Sequence, residues 1–215
     1  MPVFVEYIKD GGAVMYPLML CSFVAVFIVI ERTLYFHRNY IKIDEIITGL
    51  QNCLKNNSMM EAVTLCDDTP GPVSKILQAA ISVYDKDLED IKDTVSACAN
   101  IELPKLERRL NLLSTIAYIT PLLGLLGTVL GMMGAFFVIK NTGSYGNLPD
   151  LSGKIGEALI TTATGLCIAI PSYIAYNYFV QRVQIFAVEM ERAADEILKF
   201  IKKQRDLKNV KKQEN

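Results

Sequence analysis

The chain has 215 residues, 51% of them hydrophobic with a mean hydropathy of +0.28, yet 21% are charged. A net charge of −1 and a pI of 5.9 exclude the global basic field that recruits nucleic acid. Five scattered cysteines and one histidine, with no C-x-x-C pair, supply neither a zinc site nor a disulfide framework. No metal and no cofactor is therefore expected, and Cys21, Cys53, Cys66, Cys98 and Cys167 read as small buried hydrophobes.

Charged and apolar residues are separated along the sequence. Ala13 to Ile30 is uncharged and closes on Glu31-Arg32; Asn111 to Ile139 and Ala158 to Gln181 contain no Asp, Glu, Lys or Arg. About 20 such residues cross the ~30 Å hydrocarbon core of a bilayer. The fold expected is an all-α membrane protein with three transmembrane helices. The first stretch lacks the basic n-region and small-residue cleavage site of a secretory signal, so it is expected to be a retained span.

Lys and Arg near span ends resist translocation and set the orientation. Between the first two spans lie ten of them, from Arg32 to Arg109, and after the third come Arg182, Arg192 and a run from Lys199 to Lys212, whereas the other side holds only Lys9, Lys140 and Lys154. The expected order is an outer-side N-terminal segment (1–12), transmembrane helix 1 (13–35), a cytoplasmic helical loop (36–111), transmembrane helix 2 (112–139), an outer-side loop (140–156), transmembrane helix 3 (157–181), and a cytoplasmic C-terminal helix and tail (182–215).

Within the large loop, Ser58-Met59-Met60-Glu61 has the form of a capping box, and Pro70-Gly71-Pro72 breaks the chain. Val73, Ile76, Leu77, Ala80 and Ile81, then Leu88, Ile91, Val95 and Cys98, recur at helical spacing. Long helices extending from the spans into a cytoplasmic helical bundle follow from this pattern. Pro104 is expected to kink a helix that runs into the second span, and the charged tail from Lys202 onward is expected to fray.

At 100° per residue, Thr120, Gly124, Gly127, Gly131 and Gly134 share one stripe of the second span with Thr128 at its edge, opposite Leu122, Leu126, Val129, Leu130, Met133 and Phe137. In the third span Glu157, Thr161, Thr164, Gly165 and Ser172 group together, flanked by Thr162 and Ala169, opposite Leu159, Leu166, Ile170 and Ile174. Small residues permit the close backbone approach that drives association in lipid. Two roles fit the hydroxyls: bonding their own i−4 carbonyls as helix glue, or lining a polar path. Two roles also fit Glu157, a helix-start carboxylate favoured by the macrodipole or an acidic group at the mouth of a proton path. Pro121 and Pro171 are expected to kink their spans. With no nucleotide-binding P-loop, no H-E-x-x-H and no G-x-S-x-G, the chain is expected not to be an enzyme.

Thr120-Pro121-Leu122-Leu123-Gly124-Leu125-Leu126-Gly127-Thr128-Val129-Leu130-Gly131-Met132 and Glu157-Ala158-Leu159-Ile160-Thr161-Thr162-Ala163-Thr164-Gly165-Leu166, with Ala169-Ile170-Pro171 and Asn177, resemble the ExbB/TolQ/MotA proton-channel family. Gly11-Gly12 to Pro17-Leu18 and Ile30-Glu31-Arg32 look like the first span of the same group. The three-span order is similar to ExbB first and TolQ next, and differs from the four-span flagellar subunits. Lys154-Ile155-Gly156 departs from the family's usual Gly-Ile before the glutamate.

The resemblance implies a homopentamer in a bacterial inner membrane, N-terminus periplasmic and C-terminus cytoplasmic. Its second and third spans would line a pore holding the single transmembrane helices of an ExbD/TolR-like partner, whose Asp carries the proton. It implies that Thr128, Thr162 and Glu157 line the proton pathway, and that Gly124, Gly127, Gly131, Gly134, Thr161 and Gly165 pack around the partner. The function implied is use of the proton motive force, through a TonB/TolA-like protein, to energise TonB-dependent outer-membrane transport. The alternatives are TolQ-like service to envelope integrity or a non-conducting membrane scaffold.

Overall fold

The structure is a computed structural model describing residues 11–39, 43–56, 58–142 and 148–213. Among these residues all regular structure is helical: α1 (Met15–Arg38), α2 (Ile43–Lys55), α3 (Met59–Asp68), α4 (Pro72–Ser82), α5 (Leu88–Glu107), α6 (Leu110–Thr142) and α7 (Leu148–Gln213). Three stretches, within Met15–Arg38, Leu88–Lys140 and Pro149–Leu207, are long and apolar enough to cross a membrane. The protein is an all-α membrane protein.

The chain forms two compact units, Met1–Arg32 with Arg109–Phe179, and Thr33–Arg108 with Val180–Asn215. They obey opposite packing rules. The second is built as a water-soluble bundle is built: successive helices α2 to α5 pack on one another, and Leu50, Ala62, Ile76, Leu77, Ala80, Ile91, Ala193, Ile197 and Ile201 are wholly buried in one cluster. Each aliphatic side chain so buried contributes roughly 1.5–3 kcal/mol. Burial also pushes the Cys66 thiol up to about 11 and raises that of Cys98.

In the first unit α6 and α7 meet through small and hydroxyl-bearing residues and turn many large apolar ones outward, while Leu18, Ile28, Leu113 and Ile116 are buried. On α6, Leu122, Leu126, Val129, Leu130, Met133 and Phe137 are exposed, as are Leu159, Leu166, Ile170 and Ile174 on α7. The same holds for Leu20, Phe23, Phe27 and Ile30 on α1. Lipid is as apolar as these side chains, so no force draws them inward. Cys167 lies on this exposed surface, and Cys21, Cys53 and Cys98 are half-buried, so burial as a small hydrophobe holds for Cys66 alone.

Several boundaries differ from expectation. Residues 148–156, expected as loop, are the first turns of α7, where Pro149 fits a helix start without needing an N–H partner and Asp150 complements the macrodipole. Pro104 lies inside α5, and the helix leading to the second span is briefly broken at Arg108 and Arg109, where Arg108 keeps helical angles (φ −47°, ψ −40°). Ser58 caps α3 through its carbonyl, which accepts from Ala62 N–H at 3.1 Å, and its side chain makes no capping bond. Its ψ of 70° is far from the extended angle that aims an N-cap hydroxyl at the following amides. The charged tail stays helical to Gln213, held in part by Arg205, whose guanidinium donates to the carbonyl oxygens of Tyr84 and Lys86.

The break at Pro70-Gly71-Pro72 is present. Gly71 adopts φ 119° and ψ 168°, a region nearly confined to glycine, and Pro72 opens α4. Gly71→Ala is expected to lower stability by about 1–3 kcal/mol, measured as the thermal unfolding shift of the detergent-purified protein; an unchanged midpoint counts against this account of the α3–α4 turn.

Candidate functional site

The site is built where α6 and α7 meet inside the first unit. Gly124, Gly127 and Gly131 are buried on α6; Ala158, Thr161, Gly165 and Ala169 are buried on α7. A Cβ on Gly165 would lie 2.6 Å from the Thr120 carbonyl oxygen and 3.2 Å from Gly124 Cα. One on Gly124 would meet Thr162 Cα at 3.0 Å, and one on Gly131 would meet Ala158 Cβ at 2.7 Å; Gly127 lies directly against the Thr161 hydroxyl. Backbone therefore meets backbone along several turns, an approach that only glycine allows at these positions.

The hydroxyls divide into two sets. Thr120, Thr164 and Ser172 donate to their own i−4 carbonyls, of Ile116, Ile160 and Ile168, at 2.9, 2.8 and 2.7 Å. Thr128 and Thr161 donate to the i−3 carbonyls of Leu125 and Ala158 at 2.6 and 2.8 Å. Of these hydroxyls, that of Thr162 reaches the neighbouring helix: its Oγ1 donates to the Gly124 carbonyl at 2.9 Å. A neutral hydroxyl that donates here still has lone pairs free to accept from another group.

Glu157 lies about one and a half turns before Thr162 on α7, half-buried, with Oε2 2.7 Å from Lys154 Nζ. Its other oxygen, Oε1, abuts Gly12 in the turn that precedes α1. Val138, Asp150, Gly153, Lys154, Glu157 and Ile160 line an open cleft of about 660 Å³. At the opposite end of the first unit, Arg109 Nη1 pairs with Glu31 Oε1 at 2.6 Å. Pro121 and Pro171 lie inside α6 and α7, offering no N–H to the carbonyls of Ala117 and Cys167.

Within the chain, Gly124, Gly127, Gly131, Thr161 and Gly165 pack against each other, and Gly134 faces the aliphatic stem of Lys154. Thr128, Thr162 and Glu157 are each only partly buried, at the margin of the seam. Sequence reasoning missed Gly12 as a neighbour of Glu157, since nothing local relates positions so far apart. The Lys154–Glu157 pair was legible in principle from its i,i+3 spacing.

A glycine- and hydroxyl-zipped helix pair in a greasy three-span shell defines an integral membrane protein in which two helices carry the polar groups. The chain belongs to the MotA/TolQ/ExbB proton channel family, which residues 68–192 match. It is 31% identical to the ExbB-like 1 protein of Synechocystis over 189 residues, 85% of this chain and 74% of that one. With the ExbB-like 3 protein of Synechocystis it shares 29% over 170 residues, 79% and 81% of the two chains. With the Tol-Pal system protein TolQ of Haemophilus influenzae it shares 37% over 117 residues, 53% and 51%.

Gly165→Ala is expected to force the helices apart and destabilise the protein by about 1–3 kcal/mol. Gly156→Ala, with no neighbouring atom within 4 Å of the new methyl, is expected to be neutral or slightly stabilising. Thermal unfolding of the two purified variants in detergent checks the contrast; equal midpoints would remove the close-approach account of the seam.

Proposed function

We propose that this chain is the proton-channel subunit of an ExbB-ExbD-type motor. Five copies surround the single-span helices of an ExbD/TolR-like partner and use the proton motive force to energise TonB-dependent outer-membrane transport. The membrane is the bacterial inner membrane, with the N-terminus periplasmic and the large loop and C-terminus cytoplasmic, in line with the distribution of Lys and Arg. Thr128, Thr162 and Glu157 lie on the proton pathway. A TonB/TolA-like protein receives the motion.

The observation that carries the site assignment is selective exposure. Thr120, Thr161 and the seam glycines Gly124, Gly127, Gly131 and Gly165 are sealed, while Thr128, Thr162 and Glu157 keep part of their surface open. A group that exchanges protons with a partner's carboxylate must be reachable by it, and neutral hydroxyls can serve either protonation state of that carboxylate. The outward apolar faces of all three spans supply surface for further copies and for lipid. The similarity to TolQ favours a second reading, service to envelope integrity through a TolA-like protein. The pore chemistry is the same in both.

The test is proton influx into liposomes containing the chain and the ExbD/TolR-like protein of its own genome, under an imposed pH gradient. Thr162→Val and Glu157→Gln are each expected to lower influx about tenfold or more, the equivalent of losing one well-placed hydrogen bond in the rate-limiting barrier. Thr162→Ser, which keeps the hydroxyl, is expected to retain most of it. Co-purification of the partner with all three variants shows that assembly survives. Full influx in both damaging variants removes Thr162 and Glu157 from the pathway, and no influx with the unaltered complex returns the chain to a non-conducting scaffold.

A further inference from the structure

The Glu157 carboxylate lies between groups from two parts of the first unit, paired at one oxygen and closely approached at the other. Oε2 receives the Lys154 ammonium at 2.7 Å from one turn earlier on α7. Oε1 lies against Gly12, in the turn leading into α1. Gly12 has φ +64°, and a Cβ there would collide with Oε1 and stand 2.9 Å from Cδ and 3.5 Å from Cγ. The space Glu157 occupies is therefore space that a side chain at position 12 would take. The turn is itself anchored: Met15 N–H donates to the Gly12 carbonyl at 3.2 Å, and Val14, Met15 and Leu18 are buried against Leu123, Ile160 and Ile168.

We propose that Gly12 and Lys154 are positioning residues for Glu157. Together they place the carboxylate at the edge of the open cleft, and Gly12 does so from the turn leading into the first span, which contributes none of the pathway groups assigned above. This rests on the assignment of Glu157 to the proton pathway. Lys154 makes a fixed internal counter-cation, so the carboxylate is held in one place without being sealed from the cleft. Gly12 leaves that place vacant by lacking a side chain. The first span thus sets the geometry of a group on the third.

A double-mutant cycle isolates this coupling, because the cost of placing alanine at positive φ is the same in both backgrounds and cancels. In the purified full-length chain, Gly12→Ala is expected to lower the thermal midpoint when Glu157 is present and much less in Glu157→Ala, where every atom it would strike is gone. In the liposome complex with the ExbD/TolR-like protein, Gly12→Ala is expected to reduce influx about tenfold, and Gly12→Ala with Glu157→Asp to exceed Gly12→Ala alone. Lys154→Met is expected to reduce influx, and Lys154→Arg to restore it. If Gly12→Ala fails to assemble, assembly is read in the pair with Glu157→Asp: recovery supports the coupling, and no recovery overturns it. Gly12→Ala that is harmless, or equally harmful in both backgrounds, overturns the positioning role while leaving Glu157 in the pathway. Full influx in Glu157→Ala overturns the pathway assignment and the positioning role together.

Discussion

The close approach of α6 and α7 is the constraint on which the first unit depends. In hydrocarbon the hydrophobic effect cannot hold helices together, so the contact must rest on dispersion between tightly fitted surfaces and on a few polar links. Gly165 against the Thr120 carbonyl, Gly127 against Thr161 and the Thr162 bond to Gly124 supply both kinds. Each hydroxyl that bonds its own helix is removed from competition, which leaves the crossing bond of Thr162 well defined. Thr128 and Glu157 lie at the margin of this contact, and Thr162 bridges it while keeping part of its surface open.

Two solvents have written two packing rules into one chain, and α7 obeys both. Up to Tyr178 it buries threonine, serine, glycine and alanine and shows most of its large apolar residues outward; from there on it buries Phe179, Val183, Phe186, Met190, Ala193, Ile197 and Ile201. The change of rule falls where the chain passes between its two compact units. Aromatic contacts lie on either side of that point. Tyr118 and Tyr173 meet edge-on at 6.2 Å in the first unit, and Phe36 stacks on Phe186 at 5.8 Å in the second.

Much of this was legible in the sequence, because the signals are periodic. The uncharged stretches marked the apolar cores of the three helices that can span a membrane, and helical spacing marked Ile76, Leu77, Ala80 and Ile91 as buried. The glycine stripe was visible as a contact face; its partner was not, since periodicity tells which side of a helix is small and never which other helix will meet it. Helix limits were missed at 148–156 and at Arg108, where composition is polar but nothing forbids helix. The capping box at Ser58 failed because motif spacing does not fix the backbone angle on which the hydroxyl bond depends. Gly12 was legible only as part of a resemblance, because its importance lies in a contact with a residue far along the chain.

The first span is greasy over most of its length, and such a helix could slide or spin among lipid chains at little cost. It is held at two places. Gly12 nests against Glu157 at one end, and Glu31 is bridged to Arg109 at the other. From Met15, where α1 begins, to Glu31 is 16 residue steps, about 24 Å of helix at 1.5 Å per residue, with the Gly12 turn beyond it. The first helix is accordingly tied near both of its ends to neighbours in the first unit, by a close fit at one end and an ion pair at the other.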